Sequence, residues 1–356
     1  MRRRRTAHRL ALSVLALGVL ACSEDTPDER AGEPVFPEVS HPASNPPSPD
    51  KLELGRLLFY DPILSRDAEV ACATCHSEIW GMGDGLALSV GVDGEGPAGP
   101  GRTGPNVTTR NASTLWNVAF RQSLFWDGRT GSLEEQALLP IENEVEMDRD
   151  VDEVLVDLGA NETYRALFAA AFPTASQPVS RDNLAKALSV FQRSFVSALG
   201  PYDRYVSGDE GALKGVALAG MALFDEAGCA DCHVPPLFES ERYANRGIGD
   251  GSDAGREDVT GEPNDRGAFR VPTLRNLRET GPYFHDGSVV DLDEAVAMEV
   301  ARSVADGTSR ALSSDETEAI ATFLRKGLMD RSQEPDRPES VPSGLDVPLD
   351  GFRIPR

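Results

Sequence analysis

Two copies of one five-residue motif constrain the fold of this chain more than any other feature. Residues 72–76 read CATCH and residues 229–233 read CADCH. The spacing C-x-x-C-H is typical of covalent c-type haem attachment, because two thiols one helical turn apart can form thioethers with the haem vinyl groups while the adjacent imidazole binds the iron. The predicted attachment residues are Cys72, Cys75 and His76 for one haem and Cys229, Cys232 and His233 for the other.

A redox-active dithiol and a zinc site are the two alternatives for such cysteine pairs. A redox dithiol does not need a histidine directly after the second cysteine. Zinc takes four ligands from one compact set, whereas the two motifs begin 157 residues apart. Their repetition in one chain favours two covalently bound c-type haems over both alternatives.

The N-terminus has the pattern of an export signal. Four arginines at positions 2–5 precede an apolar run over residues 10–20, and Cys22 follows closely. We expect residues 1–22 to be a signal peptide with a lipoprotein-type cysteine, so that Cys22 would carry a lipid anchor. Leu20 is not the usual small residue at its position, which leaves cleavage at an ordinary signal site as the alternative. Export agrees with haem attachment outside the cytoplasm, and it predicts a periplasmic protein anchored to the membrane as a lipoprotein.

The predicted mature chain is strongly acidic. Removing residues 1–21 takes away five arginines and no acid, so the formal net charge moves from −23 to −28. Such a charge disfavours binding to nucleic acid or to an anionic membrane surface, and it favours a protein partner with a basic docking face. Solubility alone is the simpler explanation of the same charge.

The remaining chain divides into a tether, two domains and a tail. Residues 23–49 are rich in Pro, Glu, Asp and Ser and predict a disordered tether. Residues 50–205 and 206–330 each contain one haem motif, and we expect them to form an N-terminal and a C-terminal haem domain. Residues 331–356 return to a Pro-rich, charged tail. Apolar spacing predicts these helices: one beginning near Asp50, helices within 151–172, 181–199 and 215–224, and one with a capping box at Ser313 and Glu316 and a stop at Gly327.

The two halves are copies of one another. Three pairs of segments match at a fixed offset of 159 residues, and the haem motifs are offset by 157, so we infer a duplicated haem domain. Among the differences between the copies, the first half has Trp126 where the second has His285. The matched segments are 114–117 (TLWN) with 273–276 (TLRN), 125–128 (FWDG) with 284–287 (FHDG), and 133–135 (LEE) with 292–294 (LDE).

Histidine is scarce enough to limit how the two irons can be ligated. Of the five histidines, His8 lies in the signal and His41 in the tether. With His76 and His233 assigned as proximal ligands, His285 is the only histidine left in the predicted domains. The two haems therefore cannot both have histidine on both faces. At least one has an open face or a different sixth ligand, and an open iron can bind peroxide or oxygen.

Several segments resemble the bacterial di-haem cytochrome c peroxidases and their MauG-type relatives. The resemblance runs from about Leu52 to Leu328. It implies a mostly α-helical fold with two cytochrome c-like haem domains in tandem. It also implies that the haem on His76 is the peroxidatic one and that the haem on His233 transfers electrons. The segments that carry it are 125–129 (FWDGR), 133–136 (LEEQ), 145–147 (VEM), 272–276 (PTLRN) and 282–287 (PYFHDG).

The resemblance assigns roles to three residues of the first half. Glu146 matches the distal carboxylate that moves a proton between the two oxygens of peroxide, and Gln136 matches a distal amide. A carboxyl in a haem pocket suits such acid–base work, although Glu146 also lies in an acidic run that is typical of a solvated surface. Trp126 matches a tryptophan between the haems, where an indole could relay an electron. A lone tryptophan is otherwise more often a core aromatic.

In the family a calcium ion also lies between the two domains. Its protein ligands match the side chain of Asn111 and the backbone oxygens of Thr280 and Pro282. This is a set of hard oxygen ligands that suits calcium and that water would complete. The expected cofactors are therefore two c-type haems and one calcium ion.

The chain departs from the family pattern at two places. Many family peroxidases have a distal histidine in the loop after the first haem, but residues 91–110 contain none, so we expect the first haem to be open without reductive activation. Family peroxidases place a Met, and MauG-type proteins a Tyr, fourteen residues after the position of His285. Glu299 stands there, with Met298 one residue earlier. One residue turns a helical side chain by about 100°, so Met298 ligates the second iron only if the helix shifts, and it otherwise packs in the core. We favour Met298 as the sixth ligand.

Three functions are compatible with these residues. A di-haem peroxidase would reduce hydrogen peroxide to water with electrons from a small c-type cytochrome or a copper protein. A MauG-like enzyme would oxidise residues of a partner protein, and the absence of a Tyr at position 299 counts against it. A di-haem electron carrier would need neither Glu146 nor Gln136. We therefore expect the peroxidase, and a homodimer is compatible with the resemblance.

Overall fold

The computed structural model describes residues 36–351. The predicted signal peptide, its Cys22 and the first part of the tether lie outside this range. Within it the chain is mostly α-helical with one small antiparallel sheet, which confirms the predicted fold class. None of the helices in this range is both long and apolar enough to cross a membrane.

The helices are short and are separated by long irregular segments. Strands β1 (Tyr243–Ala244) and β2 (Phe269–Arg270) pair antiparallel, with Tyr243 opposite Arg270. The α-helices are Pro49–Tyr60 (α1), Cys72–Cys75 (α2), Leu133–Gln136 (α3), Leu139–Glu142 (α4), Val151–Ala160 (α5), Glu162–Ala171 (α6), Arg181–Gln192 (α7), Pro201–Val206 (α8), Gly215–Glu226 (α9), Glu257–Thr260 (α10), Leu292–Ala305 (α11) and Ser314–Gly327 (α12). Short 3-10 helices cover Pro62–Leu64, Glu78–Trp80, Val118–Phe120, Cys229–Asp231, Pro263–Asp265 and Leu277–Glu279.

Buried apolar side chains form two clusters, one beside each haem motif. The first cluster packs α1, α5, α6 and α7 together, with Leu58 and Phe191 among its buried members. The second packs α8, α9, α11 and α12 together, with Phe224 and Phe323 among its buried members. Each haem motif is therefore next to its own core.

Asn161 divides the helical pattern of residues 151–172 into two helices. It ends α5, and its side chain accepts a hydrogen bond from the backbone N–H of Tyr164 in the first turn of α6. Asparagine favours helix ends because its side chain competes with the helix for backbone hydrogen bonds. Both helices pack on the same core, so the apolar spacing continues across the break.

Equivalent positions of the duplicated segments have the same backbone conformation. Asn117 and Asn276 have φ angles of 60° and 59°, in the left-handed region that asparagine tolerates better than most residues. The side chain of Asn117 exchanges hydrogen bonds with the backbone of Ser197. The side chain of Asn276 does the same with Asp330. The repeat inferred from the sequence is therefore visible as a repeated turn.

Residues 36–48 differ from the predicted disordered tether. The buried Asn45 donates hydrogen bonds from its side chain to Oε1 of Glu134 at 2.8 Å and to the backbone oxygen of Lys186 at 3.1 Å. Nζ of Lys51 donates to the backbone oxygen of Pro46 at 2.7 Å. These contacts join the segment to the first half. The two partners of Asn45 are far away in the sequence, so a composition rich in Pro and acids gives no sign of these contacts.

Residues 331–351 also differ from the predicted tail. They return from the end of α12 to the first half, where Val341 is buried in the first apolar cluster. We call residues 331–351 the C-terminal strap.

One glycine marks a very close helix crossing in each half. A β-carbon on Gly55 of α1 would lie 2.1 Å from the backbone oxygen of Ala187 in α7. A β-carbon on Gly220 of α9 would lie 1.9 Å from the backbone oxygen of Ala319 in α12. Because no side chain fits at such distances, these glycines set how closely the paired helices approach.

We expect Gly220→Ala to lower the free energy of unfolding by about 1–3 kcal/mol, because the added methyl group would force α9 and α12 apart. Denaturant titration measures this change. Gly159→Ala in α5 is the matched control, because a β-carbon there would have nothing within 4 Å. This substitution should stabilise the helix by about 0.5–1 kcal/mol. Parent-like stability of Gly220→Ala would mean that the two helices separate at no cost.

Candidate haem sites

The loop after the first haem motif fixes the orientation of the proximal imidazole. Helix α2 holds Cys72 and Cys75 one turn apart. Nδ1 of His76 lies 3.0 Å from the backbone oxygen of Met82. Because a carbonyl oxygen only accepts, Nδ1 carries the hydrogen and Nε2 remains for the iron. Burial also lowers the pKa of His76, which favours the neutral imidazole that binds metal.

The second motif repeats this arrangement. Nδ1 of His233 lies 3.0 Å from the backbone oxygen of Pro272 and 3.3 Å from that of Phe238. Burial lowers the pKa of His233 to about 4. Burial raises the pKa of Cys72 to about 12 and that of Cys229 to about 11. Burial thus favours the neutral thiol at both positions.

Two adjacent cavities open beside His76. Both are lined by Cys75, His76, Gln136 and Glu146, and the larger one is also lined by Trp126. The fold therefore brings the proximal histidine together with the three residues that the resemblance singles out in the first half. Two neutral thiols, a neutral imidazole with one free nitrogen and an adjoining cavity fit a c-type haem.

Glu146 is the member of the acidic run that lines these cavities. Glu142 and Glu144 are exposed. Asp148 forms a surface ion pair with Arg66 at 2.7 Å. The structure thus separates from its solvated neighbours the same carboxyl of the run that the resemblance singles out.

The surroundings of Glu146 act on its proton affinity in opposite directions. Burial raises the pKa of Glu146, while the positive charge of Arg129 and a hydrogen bond from Asn143 lower it. The bond runs from Nδ2 of Asn143 to Oε1 of Glu146 at 2.7 Å. A carboxyl held by one donor at the wall of a cavity can both accept and return a proton.

Arg129 is a cavity residue to which the sequence analysis assigns no role. Its guanidinium lies 3.4 Å from the ring centroid of Phe125, and its Nη1 contacts both oxygens of Asp127 at 3.1 and 3.0 Å. These contacts hold a positive charge in the larger cavity beside Glu146. Arg129 belongs to the FWDGR segment, but an arginine near an aspartate is too common to point to function by itself.

Trp126 lies where the two halves meet. Its indole Nε1 donates to the backbone oxygen of Asn111 at 2.9 Å, and the backbone N–H of Asn111 donates to the oxygen of His285 at 2.7 Å. The ring centroids of Trp126 and His285 are 6.5 Å apart, and His285 stacks on Phe269 at 3.7 Å. The two counterparts of the duplication therefore face each other.

A short chain of bonded atoms links Trp126 to the second proximal histidine. The backbone N–H of Arg270 donates to the backbone oxygen of Trp126 at 2.8 Å. Two residues further along, the oxygen of Pro272 accepts from Nδ1 of His233. The backbone of residues 270–272 alone separates these two hydrogen bonds.

The similarity of this chain to known proteins independently supports the assignment of two haem sites. A family model described as di-haem cytochrome c peroxidase matches residues 49–211. The methylamine utilization protein MauG of Methylorubrum extorquens is 41% identical over 261 residues, which cover 72% of this chain and 70% of the relative. The chain belongs to the di-haem cytochrome c peroxidase and MauG family. The family prediction is confirmed, and with it two c-type haems.

Two further relatives extend the family match over most of the chain. Cytochrome c551 peroxidase of Pseudomonas aeruginosa is 34% identical over 348 residues, which cover 92% of this chain and 96% of the relative. A crystal structure of a MauG-like protein associated with microbial copper homeostasis is 30% identical, with a TM-score of 0.73, and the match covers 84% of this chain and 95% of that one. The tandem haem-domain fold is therefore confirmed as well.

The junction between the haem sites of this family member has an excess of buried positive charge. Nε of Arg270 is buried and has no hydrogen-bond partner among the described residues. Glu239 lies 3.5 Å from the same guanidinium and 3.1 Å from that of Arg121. Two buried arginines share one carboxylate, so a further anion fits here. The carboxylates of the haem propionates have the required charge.

Glu299, at the predicted sixth-ligand position of the second haem, forms ion pairs. Nε of Arg246 donates to Glu299 at 2.9 Å, and Arg302 lies 3.7 Å from the other carboxylate oxygen. Burial raises the pKa of Cys229 and the charge of Glu299 adds to it, so this carboxylate lies near the second motif. Met298 is half-buried on the same helix α11. Ligation by Met298 stays a prediction.

The predicted calcium ligands have other contacts. Nδ2 of Asn111 donates to the backbone oxygen of Leu86 at 2.8 Å. Thr280 packs against Gly81, where a β-carbon would lie 2.7 Å from its Cγ2 atom. A calcium site made by Asn111 with the backbone oxygens of Thr280 and Pro282 stays a prediction.

We expect Met298→Leu to remove the near-infrared thioether-to-iron band of the oxidised protein, because the substitution replaces the ligating sulfur by carbon. Glu299→Gln keeps the size of its side chain and should retain the band. Absence of the band in the parent protein would eliminate Met298 and leave Glu299 as the candidate.

We expect Arg129→Gln to move the acidic limb of the peroxide reaction to higher pH. Glu146 must be ionised to take a proton, so the rate falls as the pH drops through its pKa, and loss of a neighbouring positive charge raises that pKa. Rates measured across pH show the shift. Arg129→Lys retains the charge and should keep the limb near its parent position, while an unmoved limb in Arg129→Gln would disprove the coupling.

Proposed function

We propose that this chain is a di-haem c-type peroxidase that reduces hydrogen peroxide to water with electrons from a small redox protein. The observation that carries the proposal is the cavity in which His76 meets Glu146, Gln136 and Trp126. A protein that only carries electrons has no use for an acid–base group in such a cavity. Each peroxide consumes two electrons and two protons.

Different residues of the chain bind the haem, transfer protons and transfer electrons. When bound, the haem held by Cys72, Cys75 and His76 supplies an iron that binds and reduces peroxide. Ionised Glu146 takes a proton from one peroxide oxygen and returns it to the other, which leaves as water. Gln136 lines the same cavity and orients the peroxide through its amide.

Trp126 is the proposed relay for electrons that enter at the His233 site. Its indole lines the first cavity, and its backbone oxygen is hydrogen-bonded to the segment that also holds His233. The stacked pair of His285 and Phe269 lies on the other side of the junction. These contacts support a short covalent and hydrogen-bonded route between the two sites.

The proposed donor is a small c-type cytochrome or a copper protein with a basic docking face. The formal charge of −28 on the predicted mature chain supports this choice, because opposite charge speeds association. The enzyme would act in the periplasm, with a lipid anchor at Cys22. A structural calcium ion at Asn111, Thr280 and Pro282 and a homodimeric assembly complete the proposal.

A MauG-like oxidation of a partner protein is the second candidate. The 41% identity to a MauG protein and the absence of histidine from residues 91–110 favour it. In this reaction the oxidising equivalents from peroxide would act on side chains of the partner. The two candidates differ in what restores the enzyme, which is a reduced small redox protein for the peroxidase and a modified protein substrate for the MauG-like enzyme.

Stopped-flow mixing of the fully oxidised protein with hydrogen peroxide tests both candidates. We expect an immediate spectral change without prior reduction, because residues 91–110 contain no histidine that could bind the first haem iron as a sixth ligand. A second mixing step with reduced cytochrome or copper protein should then restore the starting spectrum. Two low-spin haems that bind no cyanide in the oxidised protein would contradict an open first haem.

We expect Glu146→Gln to reduce peroxide turnover by about 100-fold to 10,000-fold, which is the usual contribution of a general acid–base group. Steady-state consumption of peroxide measures this effect. Glu144→Gln changes an exposed carboxyl two residues away and should leave turnover unchanged. Near-parent turnover of Glu146→Gln would remove this residue from the mechanism.

A further inference from the structure

The C-terminal strap contacts the residues that directly follow the first proximal histidine. Nε and Nη2 of Arg337 donate to the two carboxylate oxygens of Glu78 at 2.7 and 3.0 Å. Nη2 also lies 2.8 Å from Asp350 and 3.3 Å from Oγ of Ser77. Ser77 and Glu78 come one and two residues after His76. The end of the chain thus reaches the first haem motif.

The contact is buried. The side chains of Arg337, Glu78 and Asp350 are 17%, 10% and 4% exposed. The ring centroid of Tyr60 lies 5.4 Å from the guanidinium, and its hydroxyl donates to Glu78 at 3.3 Å. A guanidinium that binds a carboxylate through two hydrogen bonds away from water is held far more firmly than a surface ion pair. Removal of the arginine would leave two carboxylates together without a cation.

The residues held by Arg337 begin a loop that returns to the imidazole. The backbone N–H of Ser77 donates to the oxygen of Gly83, and the N–H of Met82 donates to the oxygen of Ser77, both at 2.8 Å. The oxygen of Met82 then accepts from Nδ1 of His76. A displacement of Ser77 would therefore displace the acceptor that orients the imidazole.

Further contacts fix the strap near Arg337. Oγ of Ser343 donates to Asp61 at 2.7 Å. The backbone N–H of Ala98 donates to the oxygen of Leu349 at 2.9 Å. Asp61 and Ala98 belong to separate loops of the first half, so the strap has its own supports and can act as a rigid holder for the arginine.

We propose that Arg337 is a positioning residue for the first proximal histidine. By holding Ser77 and Glu78 it fixes the Met82 oxygen, and this hydrogen bond sets the orientation and basicity of the His76 imidazole toward the iron. The strap is therefore a component of the first haem site. The proposal depends on His76 as an iron ligand and goes beyond the peroxidase activity.

Potentiometric titration of the two haems in Arg337→Met tests this role. We expect the midpoint potential of the haem on His76 to shift and that of the haem on His233 to stay at its parent value. Arg337→Lys keeps a positive charge but loses the two-pronged contact, so it should restore part of the shift. Arg310→Met is the matched control, because Arg310 also binds two carboxylates, those of Glu226 and Glu316, but does so on the second half. It should leave both potentials unchanged.

Peroxide turnover of Arg337→Met should also fall by about 10-fold, as is usual when a partner of a metal-ligating histidine is disturbed. Unchanged potentials with a lower melting temperature would overturn the proposal and show that Arg337 only stabilises the fold. If Arg337→Met does not fold, Glu78→Gln weakens the same contact. It should then shift one of the two midpoint potentials, and unchanged potentials would again overturn the proposal. A shifted potential in a protein whose parent has no turnover would support the positioning role and contradict the peroxidase.

Discussion

The hydrogen bond from each proximal imidazole to a backbone oxygen is the constraint on which both sites depend. It selects the nitrogen that faces the iron and sets the angle of the ring. His76 uses the oxygen of Met82, and His233 uses that of Pro272. Neither oxygen is placed by the haem motif itself. The first belongs to a loop held by the C-terminal strap, and the second follows β2, so remote parts of the chain complete each site.

Strand β2 and the two residues after it contact both Trp126 and His233 through the main chain. The N–H of Arg270 bonds to the backbone of Trp126, and the oxygen of Pro272 bonds to His233. Because both contacts use the main chain, a substitution of the indole would leave the connection between the halves in place. The contribution of the ring can therefore be separated from that of the scaffold.

Patterns with a fixed spacing could be predicted from the sequence, and isolated long-range contacts could not. The haem motifs, the duplication and the capping box of α12 all have such spacing, and the box at Ser313 and Glu316 is present as predicted. The packing of Asn45 and the ion pair between Arg246 and Glu299 each depend on a single polar residue whose partner is far away in sequence. Single residues of this kind leave no periodic signal. The acidic run around Glu146 shows the same limit, because its composition alone does not distinguish the cavity residue from its neighbours, whereas the family resemblance and the fold do.

The strap also connects the two cores. Helix α12 belongs to the second core, the strap that follows it packs on the first, and Asp330 between them accepts hydrogen bonds from the backbone of Ala198 and Leu199. Detachment of the strap from the first core would expose Val341 and free the chain that follows α12. We expect two cores connected in this way to unfold together, so that calorimetry would record one heat-absorption peak where two separate domains would give two.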